Sequence, residues 1–404
     1  AGNATTSLMV GGIGGNNVNN FINNGGIYVR GEGGYVDVIN NNIPIVVDFL
    51  TVNNFVNNGT MDIYVESINA TAIGARADYF GDVTNLGNMA VTVNATGGQK
   101  AFGAGFYAGE PEILGSGYPG DIGNFTNRGE IEVNVYGPTD GMAYAVGVGA
   151  QSIWTDFTYE NGTIGTFNND GGIISVTAEG GTAEAYGVDA GDIGNFTNSG
   201  TISANANATN GNAHAYGVYT GDNTGNFTNS GIILTNANAN ATNSYAWVEG
   251  VLTEDIDNFT NTGIISANAN ATDDLAGAEG VGARNIGNFT NTGTISANAN
   301  ATNGYASAGG VDAYDVGNFT NTGTILANAN ASSYAEAYGV SAEDIGSFTN
   351  TGIISASASA TGSWANVYGV DAWNIGSFTN TGTISANANA TGSWANAYGV
   401  DAWN

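Results

Sequence analysis

The sequence predicts an all-β chain folded as a single elongated parallel β-helix, with about twelve coils of roughly 30 residues and three strands per coil. Three observations predict it. One phrase recurs twelve times, clearest at Ile286-Gly287-Asn288-Phe289-Thr290-Asn291-Thr292-Gly293-Thr294-Ile295. The segment after it alternates apolar and polar residues with a period of two, the mark of a strand with one buried face. Helix formers in a 3.6-residue pattern are missing, and Asn, Thr and Gly are abundant. Self-similarity at a fixed period means one supersecondary unit stacked upon itself.

The first strand of a coil carries an aromatic anchor. The anchors are Phe21, Phe55, Val83, Phe125, Phe167, Phe196, Phe227, Phe259, Phe289, Phe319, Phe348 and Phe378. The residue three before each is apolar in most coils, as at Ile193, Ile256, Ile286 and Ile345, so both columns belong inside. Two after the anchor stands an Asn in all twelve copies: Asn23, Asn57, Asn85, Asn127, Asn169, Asn198, Asn229, Asn261, Asn291, Asn321, Asn350 and Asn380. Four after it stands a Gly. An amide at a bend, followed by a residue that tolerates positive φ, predicts a structural ladder of hydrogen bonds between coils.

The second strand, residues 294–302 in the clearest copy, turns Ile295, Ala297, Ala299 and Ala301 inward and Ser296, Asn298 and Asn300 outward. Its small inward residues predict a coil that is thin on that side. The third strand closes on Tyr-Gly-Val, as at Tyr186-Gly187-Val188, Tyr338-Gly339-Val340 and Tyr398-Gly399-Val400. Along the chain this divides into an N-terminal arm (1–11), irregular coils (12–107), coils with two long inserted loops (108–166) and regular repeats (167–404).

The anchor strand, the Ala-rich strand and the closing Tyr-Gly-Val together resemble the β-helical passenger repeats of bacterial autotransporter-type adhesins and related secreted surface and filament proteins. The resemblance runs from Gly12 to Asn404. It implies the solenoid fold and an extracellular or cell-surface setting. No C-terminal membrane β-barrel stands within these residues, so self-transport is not implied.

The net charge of −30, from 35 acidic and 5 basic residues, makes the chain a polyanion. It repels phosphate backbones and anionic membrane surfaces, so nucleic acid is excluded as a partner. No cofactor is expected, with Ca²⁺ as the one ligand class that such acidity admits. Cysteine is missing, as is any apolar run long enough for a transmembrane segment. A start at Ala1-Gly2-Asn3 fits a mature N-terminus left by signal cleavage.

Four before the anchor runs a polar column, mostly alternating Asp with Asn. Only Asp315 and Asp344 are consecutive carboxylates, which makes them the weak metal candidates. Sequons place glycosylation candidates at Asn124, Asn195, Asn207, Asn226, Asn240, Asn258, Asn270, Asn288, Asn300, Asn318 and Asn389. The basic residues Arg30, Arg76, Lys100, Arg128 and Arg284, and the lone His214, recur around no carboxylate pair, which argues against an enzyme. Anchor spacing widens to 42 residues at two successive steps, Val83 to Phe125 and Phe125 to Phe167. The extra residues form two adjacent loops with interaction candidates Glu110, Glu112, Tyr118, Trp154, Asp156 and Tyr159.

Neither end shows a capping segment, which predicts head-to-tail self-association into a homopolymer. The functional expectation is a structural subunit of an extracellular filament or cell-surface sheath. A β-helical adhesin stalk that binds glycans or partner surfaces is the alternative, and a carbohydrate-active β-helix enzyme the second alternative.

Overall fold

The computed structural model describes residues 13–32, 45–109, 120–150, 152–155 and 158–403. Every regular element among them is a strand, and the architecture is a parallel β-solenoid of about twelve coils. The backbone divides into two compact units. One takes Ala1–Asn195, Gly200–Thr209 and Thr220–Asp222, the other Phe196–Ser199, Asn210–Tyr219 and Asn223–Asn404.

In the second unit, long strands alternate with short ones. Leu275–Asn291, Tyr305–Asn321 and Tyr334–Asn350 are long, while Ile264–Ala271, Thr294–Ala301 and Thr324–Ala331 are short. Long pairs with long and short with short, always parallel and one coil apart. Each long strand is the closing segment of one coil continued into the anchor segment of the next. Buried Ile286 and Phe289 stand three residues apart, so the strand must kink at exposed Gly287 to keep both inside. Three strand segments per coil result.

The anchor rings form one continuous stack in this unit. Successive centroids from Phe259 through Phe348 lie 4.7–4.9 Å apart, with planes within 3° of parallel. That spacing is the separation of hydrogen-bonded strands, so backbone pairing sets the ring geometry. On the opposite wall, Ile295, Ala297 and Ala299 are fully buried. A Cβ on Gly280 would come within 2.4 Å of Ile295 Cγ2, so the glycine of the closing motif lets the two walls meet.

The first unit uses the same coil with a fuller core. Its short strands Thr60–Ser67 and Asn88–Ala95 bury Met61, Ile63, Val65, Met89, Val91 and Val93 where the second unit buries Ile and Ala. Val83 interrupts the ring stack, and Phe106 of the closing strand fills the gap. It lies edge-on to Phe55 at 5.3 Å and steeply inclined to Phe125 at 5.5 Å.

The glycine column after the ladder Asn differs from expectation in its cause. Its members carry no positive φ, except Gly171 at 72°. Apart from Gly25 and Gly171, the described members are required by close approach: a Cβ on Gly293 would sit 2.1 Å from the Gly263 carbonyl oxygen, and one on Gly87 1.9 Å from that of Gly59. Gly171 is an extra residue in its coil. It leaves Ile173 exposed and Ile174 buried, and Gly172 takes the stacked position beneath Gly200.

Candidate functional site

The asparagine column is a ladder in both units. In the first, Asn23, Asn57 and Asn85 each donate Nδ2 to Oδ1 of the next column member at 2.8 Å, and Asn127 donates to Asn169 at 2.9 Å. In the second, the chain of donors runs from Asn198 through Asn229, Asn261, Asn291, Asn321 and Asn350 to Asn380, every step at 2.8 Å. The second Nδ2 hydrogen crosses the bend: that of Asn291 reaches the Thr324 carbonyl at 3.3 Å. The Asn291 carbonyl in turn accepts from the amides of Thr322 and Gly323. Both the amide and the backbone of the bend are thereby satisfied without water.

The glycosylation candidates lie on the outer surface and are themselves stacked. Asn258 donates to Asn226, Asn288 to Asn258 and Asn318 to Asn288 at 2.8–2.9 Å. Asn270 donates to Asn238 and Asn300 to Asn270 at 3.0–3.1 Å. Asn124 donates to Asp82 and Asn207 to Glu179. Asn195, Asn240 and Asn389 are exposed.

In the polar column, Asn285 donates to Asp255 and Asn374 to Asp344, each at 2.5 Å. The alternation therefore relieves carboxylate repulsion by hydrogen bonding. Asp315 and Asp344 are register partners. Among the described residues no group of three or more His, Cys, Asp or Glu side chains is arranged to hold a metal ion.

The two insertions leave paired strand ends, since Ala108 and Ala150 are register partners in Lys100–Ala108 and Met142–Ala150. The second folds back as an antiparallel ribbon, Ser152–Thr155 with Thr158–Asn161, with Trp154 opposite Tyr159. Glu110, Glu112, Tyr118 and Asp156 lie outside the described residues, as do the side chains of Trp154 and Tyr159. The described cations sit in separate coils: Arg128 bonds Asp170 at 2.7 Å, Arg284 lies 3.7 Å from Glu254, and Arg30 caps the Tyr64 ring.

Sequence reasoning missed two features. Exposed aromatic rings stack along the later coils, with Trp364 over Trp394 and Trp373 over Trp403 at 6.0 and 5.4 Å. The other is a break in the tyrosine column of the closing motif. In register order that column runs Tyr216, Glu249, Glu279, Gly309, Tyr338, Tyr368, Tyr398. The signal lay in the sequence: Tyr-Gly-Val becomes Glu-Gly-Val twice, then Gly-Gly-Val.

At the break, burial pushes the Glu249 carboxyl up to about 7, with the charge of Asp312 adding and a hydrogen bond from Trp247 opposing. Burial, with Glu249 and Asp312 nearby, raises Glu279 well above the usual carboxylate range. The first unit has its own buried acid, Asp189, raised to about 7 by burial and by Glu184, and lowered by its Tyr144 hydrogen bond.

Comparison with protein-family models, with curated proteins and with solved structures finds no match for this chain.

Proposed function

We propose that the chain is a structural β-solenoid of the cell exterior, a subunit of a filament or surface sheath built by coil-on-coil stacking. One observation carries the reading. The inward Phe and Asn that join one coil to the next are the same residue at every step, so the Phe stack and the Asn ladder repeat without a change through 259–380. A surface that matches its own neighbour inside the chain also matches the corresponding surface of a second copy. Such a contact is heterologous and does not close, which is the geometry of a fibre. The charge of −30 opposes sideways clumping while leaving the axial contact available. The resemblance to autotransporter-type passenger repeats supports the extracellular setting.

The test is electron microscopy with light scattering on the purified chain, with and without Ca²⁺. Filaments that lengthen with concentration are expected. A monodisperse monomer at high concentration overturns the reading.

That outcome would favour the second reading, an adhesin stalk. Its support is the set of exposed rings on regular strands, with Tyr314 at 52% and Trp373 at 54% exposure, and, separately, the antiparallel ribbon of Ser152–Thr155 with Thr158–Asn161. Flat aromatic faces in a row suit the apolar faces of sugar rings. Binding to a glycan array that disappears with Trp373→Ala would support it.

A further inference from the structure

The second unit keeps its charge off one wall. Its acids stand on the long strands, as Glu254, Asp257, Asp315, Glu343 and Asp371 do, on the closing strand Trp394–Ala402, or in the turn at Asp273-Asp274. The other wall is made by the short strands Ile232–Ala239, Ile264–Ala271, Thr294–Ala301, Thr324–Ala331, Ile353–Ala360 and Thr383–Ala390. Not one of their outward side chains is charged. In a chain of net charge −30, this is a wall on which a second copy meets no like charge.

The wall is also regular. Each strand stands over the next without slip, so its outward residues form four straight columns. The first column is wholly β-branched, and its isoleucines, Ile232, Ile264 and Ile353, are 40–46% exposed. The second sets Leu234 and Leu326 among serines. The last two are mostly amides. Asn298 donates to Asn268 and accepts from Asn328, which uses one N–H and one lone pair and leaves a second of each for a partner. The ladder already holds these side chains in place, so engaging them costs less conformational entropy than engaging free amides.

We propose that this wall docks a second copy of the chain, face to face and related by a two-fold axis. Flat sheets carrying asparagine ladders pack in this way, with the facing sheets about 10 Å apart. Six strands about 4.8 Å apart, each eight residues long at about 3.3 Å per residue, make a face of roughly 29 by 26 Å. Two such faces in contact bury about 1,500 Å², the size of a standard stable interface. The exposed isoleucines and leucines supply apolar area, and the amides supply hydrogen bonds. Because the contact is isologous and the acidic strands still face water, it pairs two solenoids and stops there. The contact is lateral, so it goes beyond the axial stacking proposed above and does not depend on it.

The experiment is sedimentation velocity over a concentration series, with electron microscopy for width, on the chain expressed without glycosylation, since Asn270, Asn300 and Asn389 lie on this wall. The wild type is compared with Asn298→Asp/Asn328→Asp, which charges the wall. Asn288→Asp/Asn318→Asp is the control, adding the same charge at exposed positions on the anchor strands. Paired solenoids are expected in the wild type, more tightly joined as salt screens the net charge. The wall variant should weaken pairing about tenfold or more, and the control less than about twofold, with circular dichroism and Tm retained in both. As a second measurement, Asn298→Cys should cross-link through a bis-maleimide and Asn318→Cys should not, the chain having no cysteine of its own. The proposal is overturned if the two charge variants behave alike, or if only single-width particles form. Single-width filaments would overturn it while leaving axial stacking intact. Paired rods that never lengthen would support it and overturn axial stacking instead.

Discussion

The chain builds two kinds of asparagine column whose hydrogen bonds look alike. On the inner side of the bend, Asn261, Asn291 and Asn321 are linked at 2.8 Å. On the outer face of the Ala-rich strand, Asn268, Asn298 and Asn328 are linked at 2.9 Å. The directions are opposite, since the inner amides donate to the following coil and the outer ones to the preceding coil. The decisive difference is solvent. The inner asparagines are fully buried, whereas the outer ones are in partial contact with water. A lost bond on the outer face is replaced by water, while a lost bond inside strands its partner. Geometry alone therefore ranks neither column; burial does.

The comparison is broken most severely on the inner side, at the ring stack. Phe289 is 1% exposed between Phe259 and Phe319. Phe289→Ala opens a cavity that rigid, hydrogen-bonded coils cannot collapse, and should cost about 3–5 kcal/mol. Urea unfolding followed by circular dichroism measures it. A cost under about 1 kcal/mol would mean that the coils close around the gap, contrary to the stack's dependence on backbone spacing.

Glu249 sharpens the comparison because it is outward by strand parity yet buried. Its carboxyl is raised from 4.5 to about 7 by burial, against the Trp247 hydrogen bond and with Asp312 and Glu279 facing it. Asp189 is raised from 3.8 to about 7, facing Tyr144 and Glu184. A carboxyl raised in the folded state contributes stability that is complete below its unfolded pKa and lost as pH rises through the folded one. Stability should therefore decline between about pH 4 and 7.5, by roughly 3–4 kcal/mol for each group as an order of magnitude. Glu279 titrates together with Glu249, so their part of the decline belongs to the pair and not to either residue. Unfolding midpoints across this range, with Glu249→Gln as control, test it. A flat profile would show that parity, and not burial, governs the outer face.

Asn291→Ala comes next. It leaves the Asn261 Nδ2 without its acceptor and removes the donor to Asn321 Oδ1 and to the Thr324 carbonyl. The expected cost is about 1–3 kcal/mol, from stranding buried groups more than from the bonds themselves. Asn291→Asp would discriminate: it keeps the acceptor for Asn261 but can donate only if protonated, so it should be tolerated better at low pH.

Much of this is legible in the sequence. The anchor rings, the alternation of Ile295, Ala297 and Ala299 with Ser296 and Asn298, and the asparagine column are periodic, and periodicity survives in the sequence as a count. What periodicity carries poorly is the reason for a residue. Gly293 suggests backbone freedom, but a carbonyl at 2.1 Å from where its Cβ would stand is the cause, and that emerges only when the coils are stacked. The extra Gly171 was hidden for a similar reason, since Gly171 and Gly172 both satisfy the count. The Glu249–Glu279 pair lay in plain view as two departures from Tyr-Gly-Val. Its meaning required the register that sets residues 30 apart side by side.

Asn298→Ala is the smallest effect and completes the test. Asn298 donates to Asn268 and accepts from Asn328, so the substitution severs two hydrogen bonds of good length. Counting bonds alone would rank it with Asn291→Ala. Yet all three side chains are partly solvated, and water replaces each lost partner at little net cost. Alanine is also no worse than Asn on a strand whose other face is already alanine. The expected change is within about 0.5 kcal/mol, as for most surface substitutions. It should be measured in the same denaturant series as Asn291→Ala. Equal costs would show that the inner and outer assignment has no energetic content, and that the ladders stabilise through their hydrogen bonds and not through what burial does to a broken one.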